Sequence, residues 1–429
     1  MPDPIALLDL TYDQLKELLT SWGEPSFRAA QLWEWLYRSL VSDVHQMRNL
    51  PKGLRTRLGQ VTCLPTLTPL EESVSADGLT CKVLFALRDG ETIESVFMRY
   101  ERRRTICVST QVGCPIGCPF CATGQSGFRR NLTAGEIVEQ VLYFARALRF
   151  RSHPPFLPTL RPDAGRALGE DPQTGEIEEG RPELPITNVV LMGMGEPLLN
   201  YEATWQAIET LNDARGFGLG ARRITLSTAG VVPGIRRLSQ EKLQVGLAVS
   251  LHASTDRLRD RLVPLNRRYP LRQLMAACRD YGQNTGRRVT FEYALMEGVN
   301  DSLEQARQLG RLLQGLTCHV NLIPLNPIAG SPYQPSSRQR ALAFQKGLEQ
   351  QGIPTTLRVG RGLDIQAGCG QLRGGHQAGL KPADNCSARL KSLPLGASRR
   401  VSAQADTPLS TQNGRMVGEG RPSAAGSKG

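Results

Sequence analysis

The run Cys114-Pro115-Ile116-Gly117-Cys118-Pro119-Phe120-Cys121 places three thiols within eight residues, in the spacing C-x3-C-x2-C. Thiolates are soft ligands that suit zinc or iron–sulfur clusters. A structural zinc site wants four closed ligands, usually as two C-x2-C pairs, whereas here three cysteines are local and no histidine is near. Three thiolates on a cubane of four irons would leave one iron open to a small ligand. Gly113, Pro115, Gly117 and Pro119 favour a loop wrapped round such a group over a helix. The bare spacing leaves an iron–sulfur cluster, a zinc ion and coincidence as its three readings. The chain holds ten cysteines, and in a cytosolic protein such clusters bind metal or do redox work more often than they form disulfides.

Other residues become candidates only by their place. Gly193-Met194-Gly195-Glu196-Pro197-Leu198 starts like a dinucleotide fingerprint, but Leu198 stands where G-x-G-x-x-G needs its third glycine. The bland alternative is a tight turn with a solvated Glu196. Read singly, Cys107 is a buried strand residue between Ile106 and Val108, and Cys369 a loop thiol among glycines. Glu94 is a surface carboxylate on a strand, and His252 a structural histidine.

These residues sit in a chain of 429, with 52 Lys+Arg against 40 Asp+Glu and a net charge of +12. Nine of the basic and three of the acidic residues fall between Gln371 and Gly429. A basic balance invites a polyanion such as nucleic acid. No apolar run approaches the roughly 20 residues of a membrane-spanning helix, and Met1-Pro2-Asp3-Pro4 does not begin a secretory signal. The expectation is a cytosolic enzyme or binding protein without a membrane partner.

Residues 1–72 read as a helical accessory domain facing RNA. Thr11 with Gln14 forms a capping-box pattern, and Phe27–Tyr37 interleaves aromatics with charge. Those aromatics either pack a small core or face nucleic acid. In 73–104, two alternating runs around Asp89-Gly90 predict a β-hairpin linking to the next domain and packing on it. From 105 to 373, short β runs alternate about six times with helical patterns, which predicts a parallel α/β architecture, barrel or doubly wound. Residues 151–185, rich in proline and charge, read as a flexible insertion, and 374–429 as a disordered basic tail.

With Phe120 before the last cysteine, the loop resembles the cluster motif of radical S-adenosylmethionine (SAM) enzymes, and Gly195-Glu196-Pro197 resembles their SAM-binding turn. Cys107–Gly113, Gly127–Leu132, Leu226–Gly230, Ser250–Ala253, Ile323–Pro327 and Gly362–Leu372 resemble, in order, the RlmN/Cfr family of RNA adenosine methyltransferases. The likeness spans residues 5–373 apart from 151–185. It implies a partial (β/α)6 TIM-like radical SAM barrel and a [4Fe-4S] cluster on Cys114, Cys118 and Cys121. SAM, two molecules per turnover, would contact Gly195, Glu196, Ser227, Ser250, Leu251, His252 and Asn326.

Adenine C2 is electron-poor and does not attack a methyl cation donor, whereas a thiolate does. By the resemblance, Cys369 carries the methyl group, Glu94 accepts the C2 proton, and Cys107 frees the product through a transient disulfide. The implied substrates are an adenosine in 23S rRNA and one in the anticodon loop of tRNA. The implied electron donor is of flavodoxin or ferredoxin type, and the enzyme is expected to be a cytoplasmic monomer. A Cfr-like C8 methyltransferase shares these motifs. A non-catalytic RNA-binding protein with a zinc site is the rival of another class. The run Asp260-Arg261…Asn266-Arg267-Arg268-Tyr269 is expected to face phosphates. One departure stands out: the family has Ala-Ala-Cys where this chain has Ala367-Gly368-Cys369.

Overall fold

The computed structural model describes residues 3–150, 184–358 and 360–374. The tail expected over 374–429, apart from Gly374, and the insertion over 151–185, apart from Leu184 and Pro185, lie outside the described residues. Those two residues are tied down, because the Arg104 guanidinium donates to both of their carbonyls.

Strand β1 (Ile5–Ala6) precedes three helices, α1 (Tyr12–Ser21), α2 (Phe27–Tyr37) and α3 (Lys52–Val61), and pairs in parallel with β2 (Thr62–Cys63). The capping box is present: Gln14 N donates to Thr11 Oγ1 at 3.2 Å, and Thr11 N to Gln14 Oε1 at 2.9 Å. Along α2 the residues at helical spacing, Leu32, Trp33, Leu36 and Tyr37, are buried. The aromatic stripe therefore packs a core, with Trp33 edge-on to Tyr12 and tilted against Tyr37, and Phe27 alone of its aromatics is largely exposed. That core is continuous with the rest of the molecule: Leu7, Leu15, Trp33, Phe97, Leu226 and Val320 belong to one cluster of buried residues.

Next come β3 (Thr68–Val74), β4 (Thr80–Ala86) and β5 (Thr92–Arg99), an antiparallel meander, and β6 (Arg104–Cys107). The hairpin expected to pack on the barrel as a linker is instead part of the same sheet. Tyr100–Arg103 is a tight turn, and so short a connection makes β5 and β6 antiparallel neighbours. The meander also has a third strand, β3, across which the expected boundary at residue 73 cuts.

The cluster loop follows, between β7 (Gln111–Gly113) and β8 (Phe128–Asn131), with the one-turn α4 (Ala122–Gln125) inside it. Then α5 (Ala134–Phe150), β9 (Asn188–Leu191), α6 (Tyr201–Asn212), β10 (Ile224–Thr228), α7 (Val232–Leu238) and β11 (Gly246–Ser250) alternate. They continue through α8 (Asp256–Leu262), α9 (Leu271–Thr285), β12 (Val289–Leu295), α10 (Leu303–Leu313), β13 (Cys318–Pro324), α11 (Arg338–Glu349) and β14 (Thr355–Leu357). The ten-stranded sheet runs β14-β13-β12-β11-β10-β9-β6-β5-β4-β3, and its seven strands from β6 to β14 are mutually parallel. The fold is α/β with a mostly parallel sheet, as expected, with a seventh parallel strand at one edge. Seven-residue α7 and α8 are too short to show a helical period in sequence. Among the described residues no helix is long and apolar enough to cross a membrane.

Candidate active site

Side chains alternate across a strand, so register fixes which residues share a face. The pairs Lys82–Val96, Val96–Cys107, Cys107–Val190 and Val190–Thr225 put Lys82, Glu94, Cys107 and Ser227 on one face. Through Ser227–Ala248, Ser250–Glu292 and Glu292–Asn321 the same face carries Ser250, Glu292 and Asn321. Seven residues from seven strands thus look into one chamber, and four of them, Glu94, Cys107, Ser227 and Ser250, are among the expected site residues.

The cluster loop caps it. Gly113 has φ of +73° and an added Cβ would lie 1.7 Å from Gly127 O, so only glycine allows the two chain segments to cross there. Cys114, Cys118 and Cys121 are partly exposed but rest on an apolar jacket of Ile116, Phe120, Ala253, Leu262, Val263, Ala294, Met296 and Leu325. Burial pushes the Cys114 thiol up to about 12 and raises Cys118 well above its usual range. Left alone these thiols keep their protons, and a metal must displace them. Among the described residues no three His, Cys, Asp or Glu side chains converge on a point one metal ion could fill. Three local thiols against an apolar wall, with no fourth ligand beside them in sequence, suit a multi-iron group.

Beside the cysteines stands the Gly195-Glu196-Pro197 turn. Gly195 takes φ of +106°, and a Cβ there would meet Gln111 N at 2.8 Å. Glu196 is 2% exposed and accepts from Ala229 N at 2.6 Å and Leu198 N at 3.1 Å. Burial raises its carboxyl to about 7 in spite of these donors. It is a buried carboxyl whose ionised form calls for a cationic neighbour, not a solvated turn residue.

At the end of β11 His252 holds φ of +57°, a strained setting for a residue with a Cβ. Its Nδ1 accepts from Ala294 N at 3.0 Å, its carbonyl accepts from Asn300 Nδ2, and its ring meets Phe120 edge-on. Burial, and then the Arg259 charge, lower its pKa to about 3, so the ring is neutral and Nε2 carries the hydrogen. Arg259, which sequence reasoning missed, is fully buried. It donates to the carbonyls of Ala229, Ser250 and Leu251, tying together the ends of β10 and β11. The expected phosphate-facing run divides: Asn266 is buried, bonded to Arg259, Asp256 and Asp260, while Arg261, Arg267 and Arg268 are exposed. Burial inverts the reading for Asn266 because it stitches α8 to the following turn.

Cys369 rides on a loop laced across the chamber. Ala122 N donates to Gly370 O at 2.8 Å, Thr123 Oγ1 to Leu372 O at 2.7 Å, and Arg373 N to Glu94 Oε2 at 2.5 Å. Asn326 Nδ2 donates to Cys369 O at 3.0 Å. These bonds bring Glu94, Cys369, Asn326 and the cluster loop together. Cys369 is exposed and Cys107 buried, both as free thiols. Burial and then the neighbouring Cys369 push the Cys107 thiol up. Glu94 is 6% exposed, and Lys82 Nζ lies 2.8 Å from its Oε1. Lys82 was also missed; its signal was the period-two placement that puts it diagonal to Glu94 across β4 and β5.

The sequence model described as "Ribosomal RNA large subunit methyltransferase N-terminal domain" matches residues 5–64. That of the radical SAM superfamily matches residues 173–310, beginning beyond the three cysteines. A probable dual-specificity RNA methyltransferase RlmN of Roseiflexus castenholzii is 47% identical over 386 residues, covering 86% of this chain and 96% of its own. One from Moorella thermoacetica is also 47% identical, covering 87% and 98%. The crystal structure of a radical SAM methyltransferase from Sphaerobacter thermophilus is 50% identical with a TM-score of 0.77, covering 86% of this chain and 99% of that one. With relatives of nearly full coverage and almost half of every aligned position shared, the chain belongs to the RlmN family of radical SAM RNA methyltransferases.

Proposed function

We propose that the protein methylates C2 of an adenosine in 23S rRNA and of an adenosine in the anticodon loop of tRNA, through an S-methylcysteine at Cys369. The observation that carries this reading is the lacing of the Cys369 loop to both the cluster loop and Glu94. The lacing holds the loop of Cys369, the proposed methyl carrier, against Glu94, the proposed base, and Cys107, the proposed second thiol, shares the Glu94 face of the sheet. Cys114, Cys118 and Cys121 would hold a [4Fe-4S] cluster, which with bound SAM supplies a 5′-deoxyadenosyl radical. Glu196 faces the SAM ammonium group, with Gly195, Ser227, Ser250, Leu251, His252 and Asn326 completing the pocket.

Cys369 thiolate takes a methyl group from one SAM by displacement. The Cys369 S-methyl group would give one hydrogen atom to the 5′-deoxyadenosyl radical that the cluster and a second SAM would supply, its carbon would bond to C2, and the odd electron of the adduct would return to the cluster as the C2 proton leaves. Glu94, held by Lys82, takes the C2 proton. Cys107 thiolate then attacks Cys369 sulfur, the sulfur–carbon bond breaks with its electron pair on carbon, that carbon takes a proton to become the methyl group, and a Cys107–Cys369 disulfide remains to be reduced. The exposed Arg261, Arg267 and Arg268 meet RNA phosphates, and the base enters unstacked from its strand. A flavodoxin- or ferredoxin-type protein delivers electrons to a monomeric, cytoplasmic enzyme. Mass spectrometry of RNA incubated with the cluster-loaded enzyme, against 2-methyl- and 8-methyladenosine standards, tests the assignment. The expected product is 2-methyladenosine, and 8-methyladenosine alone would overturn it in favour of the Cfr-like reaction.

A further inference from the structure

One carboxylate on the chamber face has no part in the chemistry above. Glu292, on β12, is 5% exposed and lies in register between Ser250 and Asn321. Neighbouring strands are about 4.8 Å apart, so these three side chains form a short row from the proposed SAM wall toward β14. Asn321 Nδ2 donates to Glu292 Oε1 at 2.9 Å. The other oxygen, Oε2, is buried and receives no hydrogen bond among the described residues. The Arg358 guanidinium stands 3.9 Å from it, an ion-pair distance too long for a hydrogen bond. Burial raises the Glu292 carboxyl, with Arg358 and Asn321 opposing.

Glu292 is also within electrostatic reach of Cys369: although that residue is exposed, desolvation by the atoms packed around it raises its thiol, Arg358 pulls it down, and Glu292 pushes it up. A buried acceptor without a donor is costly, and sites of this kind are satisfied by what enters them. The occupant must bring a donor and must come near the sulfur that reacts. The adenine ring has a single donor group, its exocyclic amine; its other edge atoms are acceptors. The amine and C2 flank the same ring nitrogen, so a residue holding the amine stands beside whatever reacts at C2. Guanine and hypoxanthine present a carbonyl oxygen there, which an acceptor-only carboxylate repels.

We propose that Glu292, steadied by Asn321 and Arg358, accepts a hydrogen bond from the exocyclic amine of the target adenosine and so turns C2 toward Cys369. This rests on the C2-methyltransferase reading and adds to it the residue that selects the base. The test uses the cluster-loaded enzyme with two RNA fragments, one carrying adenosine at the target and one purine riboside, which lacks the amine. For the native enzyme the purine fragment should lose ten- to hundredfold in kcat/KM, the worth of a hydrogen bond to a charged group. In Glu292→Ala the adenosine fragment should fall by a similar factor and the purine fragment hardly further, while KM for SAM stays unchanged.

An undiminished preference for adenosine over purine in Glu292→Ala overturns the proposal. A raised KM for SAM with the preference intact also overturns it, assigning the carboxylate to the adenosine of SAM. Should the alanine variant not fold, Glu292→Gln carries the same comparison, because its amide can turn a donor toward the base and shrink the preference. Failure of the native enzyme to methylate C2 of the adenosine fragment rejects the functional reading instead, before any variant is compared.

Discussion

Glu196 offers a quantitative test of the SAM pocket through pH. Its carboxyl is raised from the usual 4.5 to about 7 by burial, against the pull of the Ala229 and Leu198 N–H groups. If the carboxylate must be ionised to meet the SAM ammonium group, proton and SAM compete for it. With a value near 7, about ten in eleven molecules are protonated at pH 6 and about one in eleven at pH 8. SAM should therefore bind about tenfold more weakly at pH 6 than at pH 8 on this account alone. SAM has its own titrating amine, so the comparison is with Glu196→Gln, whose affinity should be low and should lack this component.

Stability moves the opposite way. The folded protein holds the Glu196 proton more tightly than the unfolded chain, so the group favours folding most at acid pH. That contribution is lost as pH rises from 4.5 through 7. The shift of about 2.5 units corresponds to about 3 kcal/mol, of which roughly 1.4 kcal/mol should appear between pH 6 and pH 8. Denaturant unfolding of the cluster-free protein and of Glu196→Gln measures it: the native protein should lose that much relative to the variant. Equal differences at the two pH values, together with a SAM affinity ratio that does not change with pH, would refute the burial argument.

Three further outcomes follow from the chamber. Cys107→Ala should accumulate a covalent protein–RNA adduct through Cys369, seen as a mass shift on denaturing gels; normal turnover would remove its resolving role. Glu94→Gln should lower methylation by about a hundredfold or more, and Lys82→Met, which leaves Glu94 without its 2.8 Å partner, by a smaller factor. A native rate in the glutamine variant would place the base elsewhere. Gly368→Ala installs the residue that the family carries, yet its Cβ would lie 2.6 Å from Asn326 Nδ2 and 2.8 Å from Gln371 Oε1. Loss of the Asn326–Cys369 O hydrogen bond should cost about 1 kcal/mol, a severalfold fall in kcat/KM that steady-state kinetics would show. An unchanged rate would mean that both side chains give way freely.

What could be read from sequence was what is local. The cysteine spacing, the Thr11 capping box and the β/α alternation need only neighbouring residues, and each is present in the structure. Cys107, Cys369 and Glu94 could be named only by resemblance, because nothing nearby marks a strand thiol or a loop thiol as reactive. The structure sets them together through register and through the bonds of the 362–374 loop. Glu292, Arg259 and Lys82 were invisible for the same reason: their partners lie on other strands and loops, and a charge inside a β run carries no label for the face it occupies. Asn266 and Asp260 looked like part of a basic rim because polarity was read without burial.

The shared interior of the N-terminal helices and the sheet has a mechanical consequence. Gly135 N donates to Asp9 Oδ1 at 2.7 Å, Gln206 Nε2 donates to Asp9 O at 2.6 Å, and Arg38 reaches Ala214 O at 2.7 Å. Among the described residues one buried cluster runs through both parts, which fixes α1–α3 to the sheet. A load on α1–α3 is thereby passed straight to the sheet that carries Glu94 and Cys107.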